Sequence, residues 1–236
     1  MSLILCIETG TDICSVGIAR DGELISLRES DEGRDHAKRV GVFVDELLRE
    51  TGVLPDELDA VAVGMGPGSY TGLRIGVSFA KGLCYGQNIP LVAVGSLDSL
   101  VEVAREDYEA GILDIDNWDK ALLCPMIDAR RMEVYAAIYD RALNVKREIA
   151  ADIIDENSYL EFLEKQPVYF FGNGSAKCKE KITHPNAHFI DGIYPLAKWM
   201  FPLAEKAKSK GDFKDVAYFE PFYLKEFVAS QPKKLI

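Results

Sequence analysis

The chain has 236 residues, a formal net charge of −11, and a composition that is 48% hydrophobic and 28% charged. That length admits one large domain or two small lobes, the composition excludes a disordered polymer, and the acidity repels RNA unless a local basic patch intervenes. The opening MSLILCIETG lacks a signal peptide's basic start and a span's length, and cysteines at 6, 14, 84, 124 and 178 form no Cys-x-x-Cys pair, which predicts a reducing cytoplasm.

Residues 3–7 (LILCI) are an apolar run ending at Glu8, and ICSVGIA (13–19) and LISL (24–27) follow, with Asp21-Gly22 between them as a hairpin turn. Three antiparallel strands are expected. From about Arg34 to Thr51, apolar residues recur at Ala37, Val40, Val44, Leu47 and Leu48, and the spacing stops at Gly52, as an amphipathic helix would. LDAVAVG (58–64) reads as a fourth strand, residues 70–86 as a second helix with Leu73, Val77, Ala80 and Cys84 in register, and IPLVAVGS (89–96) as a fifth strand. Residues 1 to about 100 thus read β-β-β-α-β-α-β. After an acidic stretch, REDYEAGILDIDNWD, the segment ALLCPMIDARRMEVYAAIYD (121–140) offers two strands about an acidic turn, with Asp128 in the place of Glu8. VYFFGNGSAKCKEKI (168–182) then reads as strand, glycine turn and helix, echoing VAVGMGPGSYTGL. LAKWMFPLAEKAKSKG (196–211) is a last helix, interrupted or kinked at Pro202, and the tail is extended. The weak repeat predicts two related α/β lobes, residues 1–103 and 104–236, with the last helix or tail packing back on the first.

The densest signal is VGMGPGSYTGLRIG (63–76). It lacks the Lys-Ser/Thr of a Walker-A loop, and its glycines at 64, 66, 68 and 72 follow the fourth strand at the wrong spacing for a dinucleotide fingerprint. What remains is a strand-to-helix turn, with Ser69 or Thr71 as N-cap, whose free N–H groups have the geometry to hold an anion. Behind it Gly72, Gly76 and Ala80 are spaced by four. A helical glycine costs about 1 kcal/mol relative to alanine, so a close approach by another backbone is expected, either the protein's own sheet or a second subunit. Phe43 lies outside the first helix's main stripe, as a two-faced helix requires. The interface expectation names His36, Val40, Phe43, Gly72, Leu73, Gly76, Val77 and Ala80.

CIETGTDICSVGIARDG, DAVAVGMGPGSYTGLRIGVSFAKGLCYGQNIPLVAVGSLDSL, DARRMEVYAAIYD and FYLK resemble, in order and spacing, the bacterial TsaB family. The resemblance implies the actin/Hsp70/sugar-kinase architecture, two ribonuclease-H-like lobes with mixed sheets flanked by helices. It implies a part in making N6-threonylcarbamoyladenosine beside the anticodon of tRNAs that read codons starting with A. It further implies a noncatalytic chain with no cofactor or metal of its own, which binds the homologous catalytic subunit TsaD, joins TsaE in the full complex, pairs with itself when alone, and meets tRNA only indirectly. No membrane is expected. The catalytic homologue holds its metal with a His-x3-His pair; here Ser96 and Leu100 stand at those positions. Glu8-Thr9-Gly10 departs from the family's commoner Asp-Thr-Ser or Asp-Thr-Ala and resembles the first phosphate loop of actin-like kinases. Two alternatives therefore stand beside the scaffold reading: an autonomous nucleotide-dependent phosphotransferase using Glu8, Asp128 and the glycine turn, and a metal-dependent transferase resembling TsaD.

The remaining candidates are bland. His184 and His188 repeat a His-x3-His spacing, but THPNAHF favours a loop, where i and i+4 share no face. The lysines of KCKEK (177–181) and EKAKSKGDFK (205–214) are interleaved with acids and read as solvated faces rather than a nucleic-acid site.

Overall fold

The computed structural model describes residues 2–32, 35–115 and 118–225. Strands β1 (Leu3–Glu8), β2 (Cys14–Arg20) and β3 (Glu23–Ser30) form an antiparallel meander. Asp21 and Gly22 turn the second hairpin with φ of 53° and 82°, the left-handed pair that suits the strands' twist. Helix α1 (His36–Thr51) ends on Gly52 at φ 67°, β4 (Ala60–Gly66) lies parallel to β1, and α2 (Tyr70–Gln87) leads to β5 (Leu91–Gly95), parallel to β4. The sheet order is β3-β2-β1-β4-β5.

β1 is buried along its whole length because the sheet is covered on both faces. Leu3, Leu5 and Ile7 join the core beneath α1 and α2, while the alternate residues Ile4 and Cys6 join a second core with Met200, Phe201 and Ala204.

The second sheet repeats the topology. Strands β6 (Leu122–Asp128), β7 (Glu133–Asp140) and β8 (Val145–Ile153) form a meander, α4 (Leu160–Leu163) follows, and β9 (Val168–Phe171) and β10 (Ala187–Phe189) add parallel strands. The order β10-β9-β6-β7-β8 is the first sheet's order, element for element. Between the sheets, α3 (Ser96–Glu109) touches β4 and β5 on one side and β6 and β7 on the other. The last helix, α5 (Phe201–Ser209), packs on β1 and β5 of the first sheet.

Three sequence expectations need correction. The segment after β9 holds only a single 3₁₀ turn, Ala176–Cys178, instead of a helix; between Gly174 and Pro185 its apolar positions are too few to repay nucleation. The last helix is broken at Met200 rather than kinked at Pro202: a 3₁₀ turn at Ala197–Trp199 precedes α5, and Pro202 sits in the first turn of α5, where its missing N–H costs nothing. Finally, α3 begins inside what reads as the end of the fifth strand. Leu97, Leu100, Val101, Val103 and Ala104 are buried there, under an acidic overlay that hides their periodicity.

Candidate functional site

The glycine segment is a seat for the loop after β1. Ser69 N–H donates to the Gly10 carbonyl at 2.7 Å, the Ser69 hydroxyl caps Gly72 N–H at 3.3 Å, and Thr9 Oγ1 donates to the Gly72 carbonyl at 2.8 Å. A Cβ added at Gly68 would overlap the Gly10 carbonyl oxygen, at Gly72 the Thr9 carbonyl oxygen, and at Gly76 the Thr9 hydroxyl. Those glycines therefore admit the chain's own Thr9-Gly10 into contact with α2. Of the readings left open by the sequence, close approach within the chain is the one observed.

Glu8 is the buried charge-bearing group of this seat. Its Oε1 accepts from Gly10 N–H at 2.7 Å and its Oε2 from the Ser96 hydroxyl at 3.2 Å, and a side chain at Gly64 would collide with the carboxylate. Burial outweighs these hydrogen bonds and pushes its pKa up from 4.5 to about 7. Ser96 is thus committed to Glu8. Leu100, one turn on in α3, is fully buried in the second sheet's core, beside Gly172. Neither position offers a metal ligand.

A cleft of about 340 Å³ lies between the sheets, lined by Gly10–Asp12 and Gly68–Thr71 on one side and by Ile127–Arg130, Tyr135, Asn173 and Lys225 on the other. Glu8 does not line it. Asp128, which does, is paired with Lys177. A phosphotransferase built on Glu8 and Asp128 would need both carboxylates in the cleft, and only one is there. Sequence reading missed Arg130, Asn173 and Lys225 as cleft residues. Arg130 and Arg131 carried a signal only in backbone form, both adopting left-handed φ of 72° and 52° in the turn between β6 and β7.

The repeat extends to this detail. Gly172 and Gly174 pack on the backbone of Met126 and Ile127 at the end of β6, as the first glycine segment packs at the end of β1. Two matching glycine seats thus flank the cleft, one in each half of the fold. A protein-family model described as TsaD, tRNA N6-adenosine threonylcarbamoyltransferase, matches residues 30–227. A transferase of that name from Nitratidesulfovibrio vulgaris is 41% identical, but over only 122 residues, 45% of this chain and 34% of the relative. Escherichia coli K12 TsaB, a tRNA threonylcarbamoyladenosine biosynthesis protein, is instead 30% identical over 96% of both chains. The chain belongs to the TsaB family. YeaZ from Pseudomonas aeruginosa has the same fold end to end, with a TM-score of 0.77 at 26% identity over 95% of this chain and 100% of that one.

In this TsaB-family chain the eight expected interface residues are brought together, but on the inner faces of α1 and α2. His36, Val40 and Phe43 of α1, and Gly72, Leu73, Gly76, Val77 and Ala80 of α2, are all buried within the chain. His36 Nε2 lies 2.9 Å from the Thr11 carbonyl, so that histidine fixes the same loop that Thr9 and Gly10 belong to. The outer faces carry different residues. Val42 is 50% exposed and Tyr85 83% exposed, and a shallow hollow on α2 is lined by Tyr70, Thr71, Arg74, Ile75 and Ser78. A Cβ at Gly82 or Gly86 would meet nothing within 4 Å.

The other candidates are accounted for locally. His184 Nδ1 accepts from Asn186 N–H at 3.1 Å, and the His188 ring stacks on Tyr169 at 4.7 Å. Lys177, Lys179, Lys181, Lys208 and Lys214 each pair with a carboxylate, Asp128, Asp191, Glu156, Asp59 and Asp212 respectively. All five cysteines are free and buried. Among the described residues no helix is long and apolar enough to cross a membrane.

Proposed function

We propose that this chain serves threonylcarbamoyladenosine formation on tRNA as a noncatalytic partner of TsaD. The observation that carries the noncatalytic part is the fate of Ser96 and Leu100: the positions where the catalytic homologue has its histidine pair are spent on holding Glu8 and on filling a core. The chain that binds TsaD presents a surface, and the outer faces of α1 and α2 are the surface we assign, with Val42, Arg74, Ile75, Ser78 and Tyr85 in contact. The eight buried residues act behind it, holding the two helices and the Thr9–Thr11 loop in one rigid unit. The same face serves self-association when TsaD is absent, and TsaE completes the assembly in the cytoplasm.

Indirect contact with tRNA follows from charge. A chain of net charge −11 in which Lys177, Lys179 and Lys181 of the first lysine cluster are each paired with a carboxylate repels a phosphate backbone on average. Grip on the tRNA then falls to the partners. The partner reading is tested by size-exclusion chromatography of this chain mixed with purified TsaD. Co-elution of the unaltered chain, weakened at least about tenfold in affinity (about 1.4 kcal/mol) by Ser78→Arg, is expected. Separate elution of the unaltered chain would remove the partner, and unimpaired binding by Ser78→Arg would remove the face.

A further inference from the structure

After α5 the chain returns along α2, and the last described residue, Lys225, reaches the opposite lobe. Val216 and Phe219 pack against the core beneath α1 and α2, and Lys81 Nζ donates to the carbonyls of Ala217 at 3.1 Å and Phe219 at 2.8 Å. Phe222 N–H donates to the Met65 carbonyl at 2.8 Å, near the end of β4, and the Tyr223 ring lies 4.8 Å from that of Tyr70, at the start of α2. Two residues on, Lys225 Nζ pairs with the Glu133 carboxylate at the start of β7, in the other sheet. Lys225 also lines the cleft, facing Asp128, Arg130 and Tyr135.

We propose that residues 221–225 form a releasable strap across the mouth of the cleft, anchored firmly on the first lobe and by an ion pair on the second, and that it limits how far the lobes part. The limit is a matter of chain length. From Phe222 to Lys225 an extended backbone spans at most about 10 Å, so while both ends hold the mouth cannot widen beyond that reach plus one lysine side chain. At the base of the cleft the lobes are joined by α3, which packs on both sheets, and by the Tyr139 hydroxyl bonded to Asp98 at 2.9 Å. Opening is therefore a rotation about α3, resisted at the far end by the strap. The two anchors differ in kind. The first-lobe anchor combines the Phe222 backbone hydrogen bond and the Tyr223–Tyr70 ring contact with the packing of half-buried Val216 and Phe219 just upstream. The second is one ion pair whose side chains are 40% and 19% exposed, the sort that contributes little and is screened by salt. Release occurs at Glu133.

Spin labels at Lys38→Cys on α1 and Glu148→Cys on β8 report the separation of the lobes by pulsed electron resonance, and the native cysteines, all buried, leave those two sites to react. In low salt Lys225→Gln is expected to give a longer mean distance and a broader distribution than the unaltered strap, Glu133→Gln to reproduce it, and the pair of changes together to add nothing. About 1 M salt, where the Debye length is about 3 Å, should open the unaltered protein in the same way and leave Lys225→Gln unmoved. Both substitutions lie outside the hydrophobic cores, and unchanged circular dichroism checks that the lobes remain folded. Identical distributions for the unaltered protein and Lys225→Gln in low salt, or a salt response that survives in Lys225→Gln, would overturn the strap.

Discussion

Glu8 is where the sequence is locally least comfortable. A carboxyl fully buried between Gly10, Gly64 and Ser96 holds its proton up to about pH 7, whereas the unfolded chain releases it near 4.5. The folded pKa is the higher one, so this group's contribution to stability is complete below about pH 4.5, declines as pH rises, and is lost above about 7. Two and a half pKa units correspond to about 3 kcal/mol. Glu8→Gln keeps the shape and the bond from Gly10 N–H without the charge, its amide NH2 donating to the Ser96 hydroxyl in place of the oxygen that accepted from it. Urea unfolding at about pH 5 and about pH 8 should show the variant gaining about 2.5 kcal/mol on the parent between the two, and parallel profiles would contradict the burial argument. The glycines give a second test at this scale. Gly72→Ala drives a Cβ into the Thr9 carbonyl and should cost about 3 kcal/mol or more, while Gly82→Ala, with open space around it, should gain about 0.5–1 kcal/mol from helix propensity. Thermal melts of the two variants separate a seat for Thr9-Gly10 from a generic small-residue stripe.

At the scale of elements, α2 works with two faces, and the sequence signals only one of them clearly. Spacing by four at Gly72, Gly76 and Ala80 marks the inner face legibly, because small residues in a helix require a close neighbour, but spacing carries no information on whether that neighbour belongs to the same chain. The outer face, with Arg74, Ser78 and Tyr85 exposed and Ile75 half-buried at its edge, has no pattern that a sequence would betray; its meaning comes from exposure. This alters the choice of interface variant. A large residue at Gly76 would dislodge Thr9 and unfold the seat, whereas Ser78→Arg acts only outward, so its effect on TsaD affinity, at an unchanged melting temperature, reports on the interface. The missed α3 and the absent helix after β9 are both failures of the periodicity signal. Both lack a clear helical period in the sequence: acidic residues overlie the apolar positions by which α3 packs on two sheets, and too few apolar positions surround Ala176–Cys178, where Lys177 pairs with Asp128. The hairpin at Asp21-Gly22 and the end of α1 at Gly52 were legible because there the chemistry is backbone chemistry, a left-handed turn that few residues accept.

For the whole molecule, duplication organises both fold and function. Two sheets of identical strand order and two glycine seats at equivalent strand ends face each other across a cleft. The sequence repeat made the two lobes legible, but the cleft's far wall was not, since Arg130, Asn173 and Lys225 come from three distant stretches that only the fold assembles. In the proposed function those lobes present a partner face, and the chemistry is done elsewhere. The rate of tRNA threonylcarbamoylation by purified TsaD, supplied with TsaE, ATP, threonylcarbamoyl-adenylate and tRNA and titrated with this chain, tests that claim most directly. Activity is expected to rise with the chain and saturate near equimolar TsaD, with Ser78→Arg requiring at least about tenfold more protein for the same rate. Modification of tRNA by this chain in the absence of TsaD, or a TsaD rate that does not change when the chain is added, would contradict it.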